Sequence, residues 1–202
     1  MKKAIIISMV ILTVSFLSCT EKPTLEELKK FAAVESYPVD NFLDTVLNKK
    51  AMVIVAHDDD DCAMSGTLAK LKAEGWQIQQ LNFVVHNKNE SSISKVYSGN
   101  KSIVEDGIYR PGKDTIEFPY VPISREEMEK QFLREKITKG LLENINSFHP
   151  SVIFTLDNEM GGYGHPEHIY LSQLVVDLYK QKKSIPTVFI NQCIPTTWKK
   201  KL

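Results

Sequence analysis

The sequence predicts an α/β protein with a Rossmann-like, mostly parallel sheet flanked by helices. Short apolar runs, in part β-branched, alternate along the chain with longer segments whose apolar residues recur at helical spacing. The apolar runs are continuous rather than alternating, which is typical of strands that are buried on both faces. Because ligands bind at the carboxyl ends of the strands in such sheets, we expect the active site at that edge.

The predicted elements follow one another in a regular order. The first strand candidate spans residues 52–56, a helix follows over 62–74, and a second strand follows over 78–85. Residues 86–122 are polar and irregular, with short strands expected around 116–118. The remaining elements are a helix from the capping box at Ser124 to about Phe148, a strand at 151–155, a helix from about Glu167 to Gln181 and a strand at 187–190.

Length, composition and charge restrict the class of protein. With 202 residues, of which 43% are hydrophobic, the chain is long enough for one globular domain with a substantial core. Lys+Arg and Asp+Glu both total 25, and this balance argues against a protein that neutralises many phosphates of a nucleic acid. We therefore expect no nucleic-acid partner.

The N-terminus resembles the signal peptide of a bacterial lipoprotein. Residues 2–3 are lysines, residues 4–17 form an apolar run too short for a comfortable membrane span, and Ser18 followed by Cys19 resembles a lipobox. Cleavage before Cys19 and acylation of its thiol would give an exported lipoprotein, anchored to a membrane on the extracytoplasmic side. The alternative is an ordinary signal peptide that is cut near Ser18.

This interpretation divides the chain into three parts. They are a signal peptide at residues 1–18, a tether with a helix from Thr24 to about Val34 within residues 19–45, and the α/β domain at residues 46–202. Export would place Cys62 and Cys193 in an oxidising compartment, where disulfides persist. The sequence leaves open whether these two cysteines pair.

Two polar motifs follow predicted strands. Residues 56–61, Ala-His-Asp-Asp-Asp-Asp, come directly after the first strand, and residues 164–168, Gly-His-Pro-Glu-His, lie in the loop after the third. Four adjacent carboxylates repel one another, and holding them against a buried strand is costly unless a cation offsets their charge. Pro166 favours the first turn of a helix, in which His165 and His168 would point to the same side.

Together the motifs offer the donors of a hydrolytic metal site. Two imidazoles and a carboxylate can hold Zn²⁺ and leave a position for water, while a further carboxylate and imidazole can move protons. Fe²⁺ and Co²⁺ also suit such a donor set. The simpler alternative is a solvated loop whose aspartates cap the next helix, together with surface histidines on a glycine-rich turn.

The motifs resemble the signature of the PIG-L/LmbE-like family of zinc-dependent de-N-acetylases, whose usual forms are Ala-His-Pro-Asp-Asp-Glu and Gly-His-Pro-Asp-His. Residues 65–68, Ser-Gly-Thr-Leu, also resemble the Gly-Gly-Thr-Leu that follows the first motif in the family. The resemblance covers roughly residues 50–190. It implies a hydrolase that uses a zinc-activated water to remove an acetyl group from an N-acetylated sugar or glycoconjugate.

Carried over position by position, the resemblance gives each motif residue a role. The implied zinc ligands are His57, Asp60 and His168. Asp59 would be the general base, and His165, as a protonated imidazole, would stabilise the oxyanion or protonate the leaving amine. Glu167 stands where the family has an aspartate, and it would orient a histidine through a hydrogen bond.

The chain departs from the family pattern at several positions. Asp58 replaces the family's proline and Asp61 its glutamate, although neither is an implied ligand. Residues 85–90 lack the glycine-rich pattern common in the family, and relatives commonly continue beyond the position of Leu202. Two alternatives therefore stay open: an amidase or esterase that acts on a non-sugar acyl group, and a non-catalytic glycan-binding lipoprotein. The sequence does not determine the oligomeric state.

Overall fold

The computed structural model describes residues 24, 26, 42–85, 96–111, 124–181 and 186–191. The chain divides into two compact units, Met1–Thr45 and Val46–Leu202. The described part of the first unit includes a short 3₁₀ helix at Phe42–Thr45. The predicted signal peptide, Cys19 and most of the helix expected over residues 24–34 lie outside the described residues.

The second unit is built on a sheet in which all paired strands are parallel. Its described strands are β1 (Lys50–Ile54), β2 (Gln77–Asn82), β3 (Gly99–Ser102), β4 (Val152–Leu156) and β5 (Thr187–Asn191). Their order across the sheet is β3-β2-β1-β4-β5. The prediction of a parallel, Rossmann-like α/β sheet is therefore confirmed.

The strand order creates a crevice between β1 and β4. From β1 the chain proceeds outward through β2 to β3, and it then crosses back to β4 and continues outward to β5 on the other side. Residues 51–54 of β1 and all of β4 are buried, as their continuous apolar sequences predict. The carboxyl ends of β1 and β4 meet at this switch in direction, which is where sheets of this class bind ligands.

Helices pack against the sheet and complete the core. The α helices of the described second unit are α1 (Ser65–Ala73), α2 (Arg125–Gln131), α3 (Arg134–Phe148) and α4 (Pro166–Lys180). A 3₁₀ helix at Asp60–Met64 precedes α1, so the helix predicted over 62–74 begins as a 3₁₀ turn. The predicted cap of α2 is present, because the hydroxyl of Ser124 accepts a hydrogen bond from the backbone N–H of Glu127 at 3.2 Å.

The single helix predicted from Ser124 to Phe148 is wrong, because the chain leaves the helical conformation at Phe132. Phe132 has φ −100° and ψ 142°, and its ring stacks on that of Tyr170 in α4 with 4.1 Å between centroids. The N–H of Leu133 donates to the carbonyl of Tyr109 at 2.8 Å. No proline or glycine marks this break, so it results from tertiary contacts that a helical pattern does not reveal.

Strand β3 was not predicted, because its sequence Gly-Asn-Lys-Ser lacks apolar residues. Among the described strands it lies at an edge of the sheet, where a strand needs no buried face. The strands expected around residues 116–118 lie outside the described residues, as does Cys193. Cys62 is exposed and forms no disulfide with any described residue. No helix among the described residues is long and apolar enough to cross a membrane.

Candidate metal centre

The two motifs meet at the carboxyl ends of β1 and β4. His57 lies just beyond β1, and His165 and His168 lie at the N-terminus of α4, after the loop that follows β4. The Nδ1 atom of His57 is 3.1 Å from the Nε2 atom of His168. The carboxylate of Asp60 completes a triangle, with Oδ2 at 3.4 Å from His57 Nδ1 and Oδ1 at 3.1 Å from His168 Nε2.

The dimensions of this triangle suit a metal ion. With metal–ligand distances of 2.0–2.2 Å, a tetrahedral zinc ion places neighbouring ligand atoms about 3.3–3.5 Å apart. Two imidazole nitrogens and one carboxylate also form a donor set that leaves a coordination position open, as catalytic zinc sites require. The three residues therefore fit a zinc ion in both spacing and chemistry.

Hydrogen bonds fix which ring nitrogens face the centre of the triangle. The Nε2 atom of His57 lies 2.9 Å from Oε2 of Glu167, which can only accept when it is ionised. The Nδ1 atom of His168 lies 2.8 Å from the carbonyl oxygen of Gly161, which also accepts. Each outer nitrogen therefore donates a hydrogen bond, and the inner nitrogens, Nδ1 of His57 and Nε2 of His168, are the atoms that would bind an ion.

Asp60 is held in place by the start of its own motif. The backbone N–H of His57 donates to Oδ2 of Asp60 at 2.7 Å. Burial alone would raise the pKa of Asp60, but its contacts with His168 and His57 hold that pKa below its usual range. The carboxylate is therefore ionised at neutral pH and available as a ligand.

His57 carries a positive charge, opposite to that of Asp60, when no metal is bound. Burial lowers the pKa of His57, but the hydrogen bonds and negative charges of Asp60 and Glu167 outweigh burial and raise it to about 10. A proton on His57 Nδ1 can then bridge to the nearby lone pair and carboxylate. This proton occupies the same place, and offsets the same negative charge, as a cation would.

Glycines in the loop before α4 allow the close approach of the second motif. Gly161 has φ +54°, and a Cβ atom there would lie 2.6 Å from the Cβ of His168 and 2.9 Å from the backbone nitrogen of Ile169. Only glycine fits such a position without a shift of the backbone. Gly161 therefore brings its carbonyl oxygen within hydrogen-bond distance of the His168 ring.

His165 caps helix α4 and is neutral. Its Nδ1 atom accepts a hydrogen bond from the backbone N–H of Glu167 at 3.2 Å, which leaves the proton of the neutral ring on Nε2. Burial, together with the neighbouring imidazole of His168, lowers the pKa of His165 to about 4. The sequence predicts a protonated imidazole at this position, whereas burial favours the neutral ring, whose Nε2–H can still donate a hydrogen bond.

The alternative interpretation of the motifs, a solvated loop with capping aspartates and surface histidines, does not agree with the structure. His165 and His168 are 7% and 1% exposed, so they are not surface histidines. Asp59 does occupy the N-cap position of the 3₁₀ helix, but its side chain makes no capping hydrogen bond. Asp59 is exposed, and one of its carboxylate oxygens lies within 4.8 Å of a His57 ring nitrogen and an Asp60 oxygen.

The structure also brings residues to the site that the sequence did not single out. Tyr109 donates its hydroxyl proton to Oε1 of Glu167 at 3.1 Å, and Nη1 of Arg110 lies 3.6 Å from the same oxygen. Tyr97 donates to Oδ2 of the buried Asp61 at 2.8 Å. Tyr163 is 60% exposed, and its ring lies edge-on to that of His168 with 5.1 Å between centroids. These residues fall in polar stretches without periodicity, so only the folded chain shows their contacts.

The fold and these donors define the class of the protein: a parallel α/β protein with a two-histidine, one-aspartate cluster at the switch point of its sheet. Residues 52–179, more than half of the chain, match the profile of the PIG-L family, described as GlcNAc-PI de-N-acetylase. The chain belongs to the PIG-L family, and the resemblance of the two motifs is confirmed. No curated protein sequence matches the chain.

Several solved structures are similar to this fold at low sequence identity. The deacetylase of the teicoplanin biosynthesis pathway has a TM-score of 0.50 and 12% identity, covering 70% of this chain and 67% of its own. N,N'-diacetylchitobiose deacetylase from Pyrococcus horikoshii, solved with an inhibitor, has a TM-score of 0.42 and 19% identity, with coverages of 78% and 59%. A conserved protein from Thermus thermophilus has a TM-score of 0.40 and 19% identity, with coverages of 70% and 65%. The chain therefore spans less than two thirds of the length of the latter two proteins.

Proposed function

We propose that this protein is a metal-dependent hydrolase that removes an acetyl group from an N-acetylated sugar or glycoconjugate, giving acetate and a free amine. One observation carries the proposal. The Nδ1 atom of His57 and the Nε2 atom of His168 lie 3.1 Å apart, beside the ionised carboxylate of Asp60. Membership of a family described as de-N-acetylases supports the reaction and the class of substrate.

The proposed ligands of the metal are His57, Asp60 and His168. Zinc suits these donors and their spacing, and Fe²⁺ or Co²⁺ could occupy the same site. When bound, such an ion lowers the pKa of a water molecule and polarises the acyl carbonyl. Because the outer nitrogens of both rings are already engaged by Glu167 and Gly161, the rings need not reorient to bind the ion.

Asp59 is the proposed general base. Its carboxylate is close to the cluster but is exposed, so it can reach a water molecule that enters the open side of the site. It takes a proton as the water oxygen attacks the acyl carbon. When the C–N bond breaks, the same proton can pass to the leaving nitrogen, so that the amine leaves in neutral form.

His165 is the proposed donor to the oxyanion that develops on the acyl oxygen. Its Nδ1 atom is already an acceptor, so the neutral ring directs Nε2–H away from the helix. Burial lowers the pKa of His165 to about 4, so the ring is neutral near pH 7 and keeps one proton, on Nε2. Preorganised donors of this kind lower the barrier without reorienting during the reaction.

The location of the protein is a separate proposal that rests on the sequence of residues 2–19. We propose an exported lipoprotein, anchored through an acylated Cys19, whose substrate is a glycan at the outer surface. In cells that make the protein, the wild-type chain should fractionate with membranes and incorporate labelled fatty acid. Cys19→Ala should do neither, and a membrane-bound, unlabelled wild-type chain would contradict acylation.

Release of acetate tests the reaction. The full chain, loaded with zinc, is incubated with three panels: N-acetylated sugars, non-sugar N-acetyl amides and O-acetyl esters. The proposal predicts acetate from the first panel and little from the other two. Turnover of only the second or third panel would favour the amidase or esterase alternative. Saturable sugar binding without acetate release, by protein that holds metal, would favour the non-catalytic glycan-binding lipoprotein.

A further inference from the structure

The carboxylate of Glu167 is buried and is held from two directions. Its Oε2 atom faces Nε2 of His57 at 2.9 Å. Its Oε1 atom accepts the hydroxyl proton of Tyr109 at 3.1 Å and lies 3.6 Å from Nη1 of Arg110. Glu167 is 5% exposed, so these side chains take the place of water around it.

The two oxygens of Glu167 have different partners, and this difference fixes the rotation of the carboxylate. With Oε1 held by Tyr109 and Arg110, the other oxygen points to His57. The Arg110 side chain is only 2% exposed, so its positive charge is poorly screened by solvent and offsets the negative charge of Glu167. Glu167 can therefore stay ionised, and act as an acceptor, inside the protein.

Tyr109 and Arg110 are themselves fixed by aromatic packing. The Tyr109 ring stacks on Phe83, with 4.3 Å between centroids and an angle of 4° between ring planes. The Arg110 guanidinium lies 5.8 Å from the ring centroid of Phe132. The carbonyl of Tyr109 accepts the N–H of Leu133, at the break between α2 and α3. The break between α2 and α3 therefore exposes the backbone N–H that holds the backbone at Tyr109 in place.

We propose that Tyr109 and Arg110 are positioning residues, which hold Glu167 so that it orients His57 as a metal ligand. This inference rests on the proposed metal-dependent function. The contact between Glu167 and His57 holds a ring proton on Nε2, so that Nδ1 is the nitrogen that would bind the ion. Residues that hold a ligand in this way typically change metal affinity about 10- to 100-fold when they are altered.

Zinc affinity tests the proposal without any substrate. The full chain, purified in detergent, competes for zinc with a fluorescent chelator, and the dissociation constant is compared among variants. Tyr109→Phe removes one hydroxyl, keeps the aromatic stack and should weaken zinc binding at least threefold. Arg110→Met removes the charge and should weaken it about 10- to 100-fold. Because Arg110 is buried, Arg110→Met could fail to fold, and the nearly isosteric Tyr109→Phe then decides the outcome.

Tyr170→Phe is the matched control. Its ring belongs to the same aromatic group through Phe132, and its hydroxyl takes no part in the hydrogen bonds that link Glu167 to His57 and Tyr109. This variant should bind zinc as the wild type does, within a factor of two. If Tyr109→Phe also stays within a factor of two, the positioning role is wrong. If the wild type binds no zinc, the proposed function fails, and this inference fails with it.

A spectroscopic measurement separates positioning from a general loss of stability. In the zinc-loaded protein, ¹⁵N-labelled histidine spectra should show His57 with its proton on Nε2 and its metal bond at Nδ1. Tyr109→Phe should shift or broaden the His57 Nε2–H signal and leave the His168 ring signals in place. Equal changes at both histidines, or none at His57, would contradict an action through Glu167.

Discussion

The Nδ1 atom of His57 and the Nε2 atom of His168 lie 3.1 Å apart, although the other nitrogen of each ring faces a hydrogen-bond acceptor. Two lone pairs at this distance, beside the ionised Asp60, require a positive charge between them. In the metal-free protein a proton on His57 supplies that charge, and in the proposed enzyme a metal ion replaces it. The same geometry therefore links metal binding to proton release.

Zinc binding should be strongly dependent on pH. The contacts of His57 with Asp60 and Glu167 overcome the effect of burial and raise its pKa to about 10, so the ring is protonated near pH 8 without metal. Each zinc ion should displace about one proton, and its affinity should rise about tenfold per pH unit between roughly pH 7 and 9. Calorimetry in two buffers with different ionisation enthalpies measures the number of protons released. Zinc binding without proton release would contradict a protonated His57.

The same pKa predicts how the stability of the metal-free protein varies with pH. The pKa of His57 is raised on folding, from an ordinary value of 6.5 to about 10. Its contribution to the free energy of unfolding is therefore complete below about pH 6.5 and is lost as the pH rises through 10. Thermal unfolding of the metal-free protein should show a falling midpoint across this window. His57→Gln should make the unfolding midpoint less dependent on pH. If the midpoint of this variant falls with pH as steeply as that of the wild type, another group causes the fall.

Asp59→Asn should separate metal binding from turnover. The amide keeps the size of the side chain but cannot accept a proton, so acetate release should fall about 10²- to 10⁴-fold while the zinc content stays the same. Asp58→Asn is the matched control, because it removes a neighbouring charge from the same run of aspartates and should retain most of the activity. An active Asp59→Asn protein, or equal losses in both variants, would remove Asp59 from the role of base.

Gly161→Ala should disturb the second motif through its backbone. The new Cβ would lie 2.6 Å from the Cβ of His168, and φ of +54° is unfavourable for alanine. We expect a loss of about 1–3 kcal/mol in the free energy of unfolding, together with weaker zinc binding. Gly66→Ala, in helix α1 with nothing within 4 Å of the new Cβ, should cause no such loss. Equal stability of the two variants in denaturant titrations would contradict the close fit at Gly161.

The sequence places His57 and His168 at the same edge of the sheet, because each follows a continuous apolar run that is typical of a buried parallel strand. That the two strands are neighbours, which brings the histidines into contact, is shown only by the strand order in the structure. The contacts of Tyr109 and Arg110 could not be predicted. They depend on the helix break at Phe132 and on aromatic stacking between distant segments, and neither produces a periodic pattern along the chain.

The protonation state of His165 likewise could not be predicted from the sequence. The motif shows that an imidazole precedes Pro166, but its pKa depends on burial and on the neighbouring imidazole of His168. The cap of helix α4 also uses His165 Nδ1, which determines the tautomer. These features require the folded geometry, in which the ring stacks on His168 with 4.5 Å between centroids.

Metal content tests the central claim most directly. The full chain is purified without chelators, supplied with zinc, dialysed and analysed by mass spectrometry for metals, in parallel with His168→Ala. We predict close to one equivalent of a divalent metal in the wild type, on the basis of a single three-ligand site, and its loss in the variant. A folded wild-type protein that retains no metal, or a His168→Ala protein that retains as much as the wild type, would contradict the proposed site.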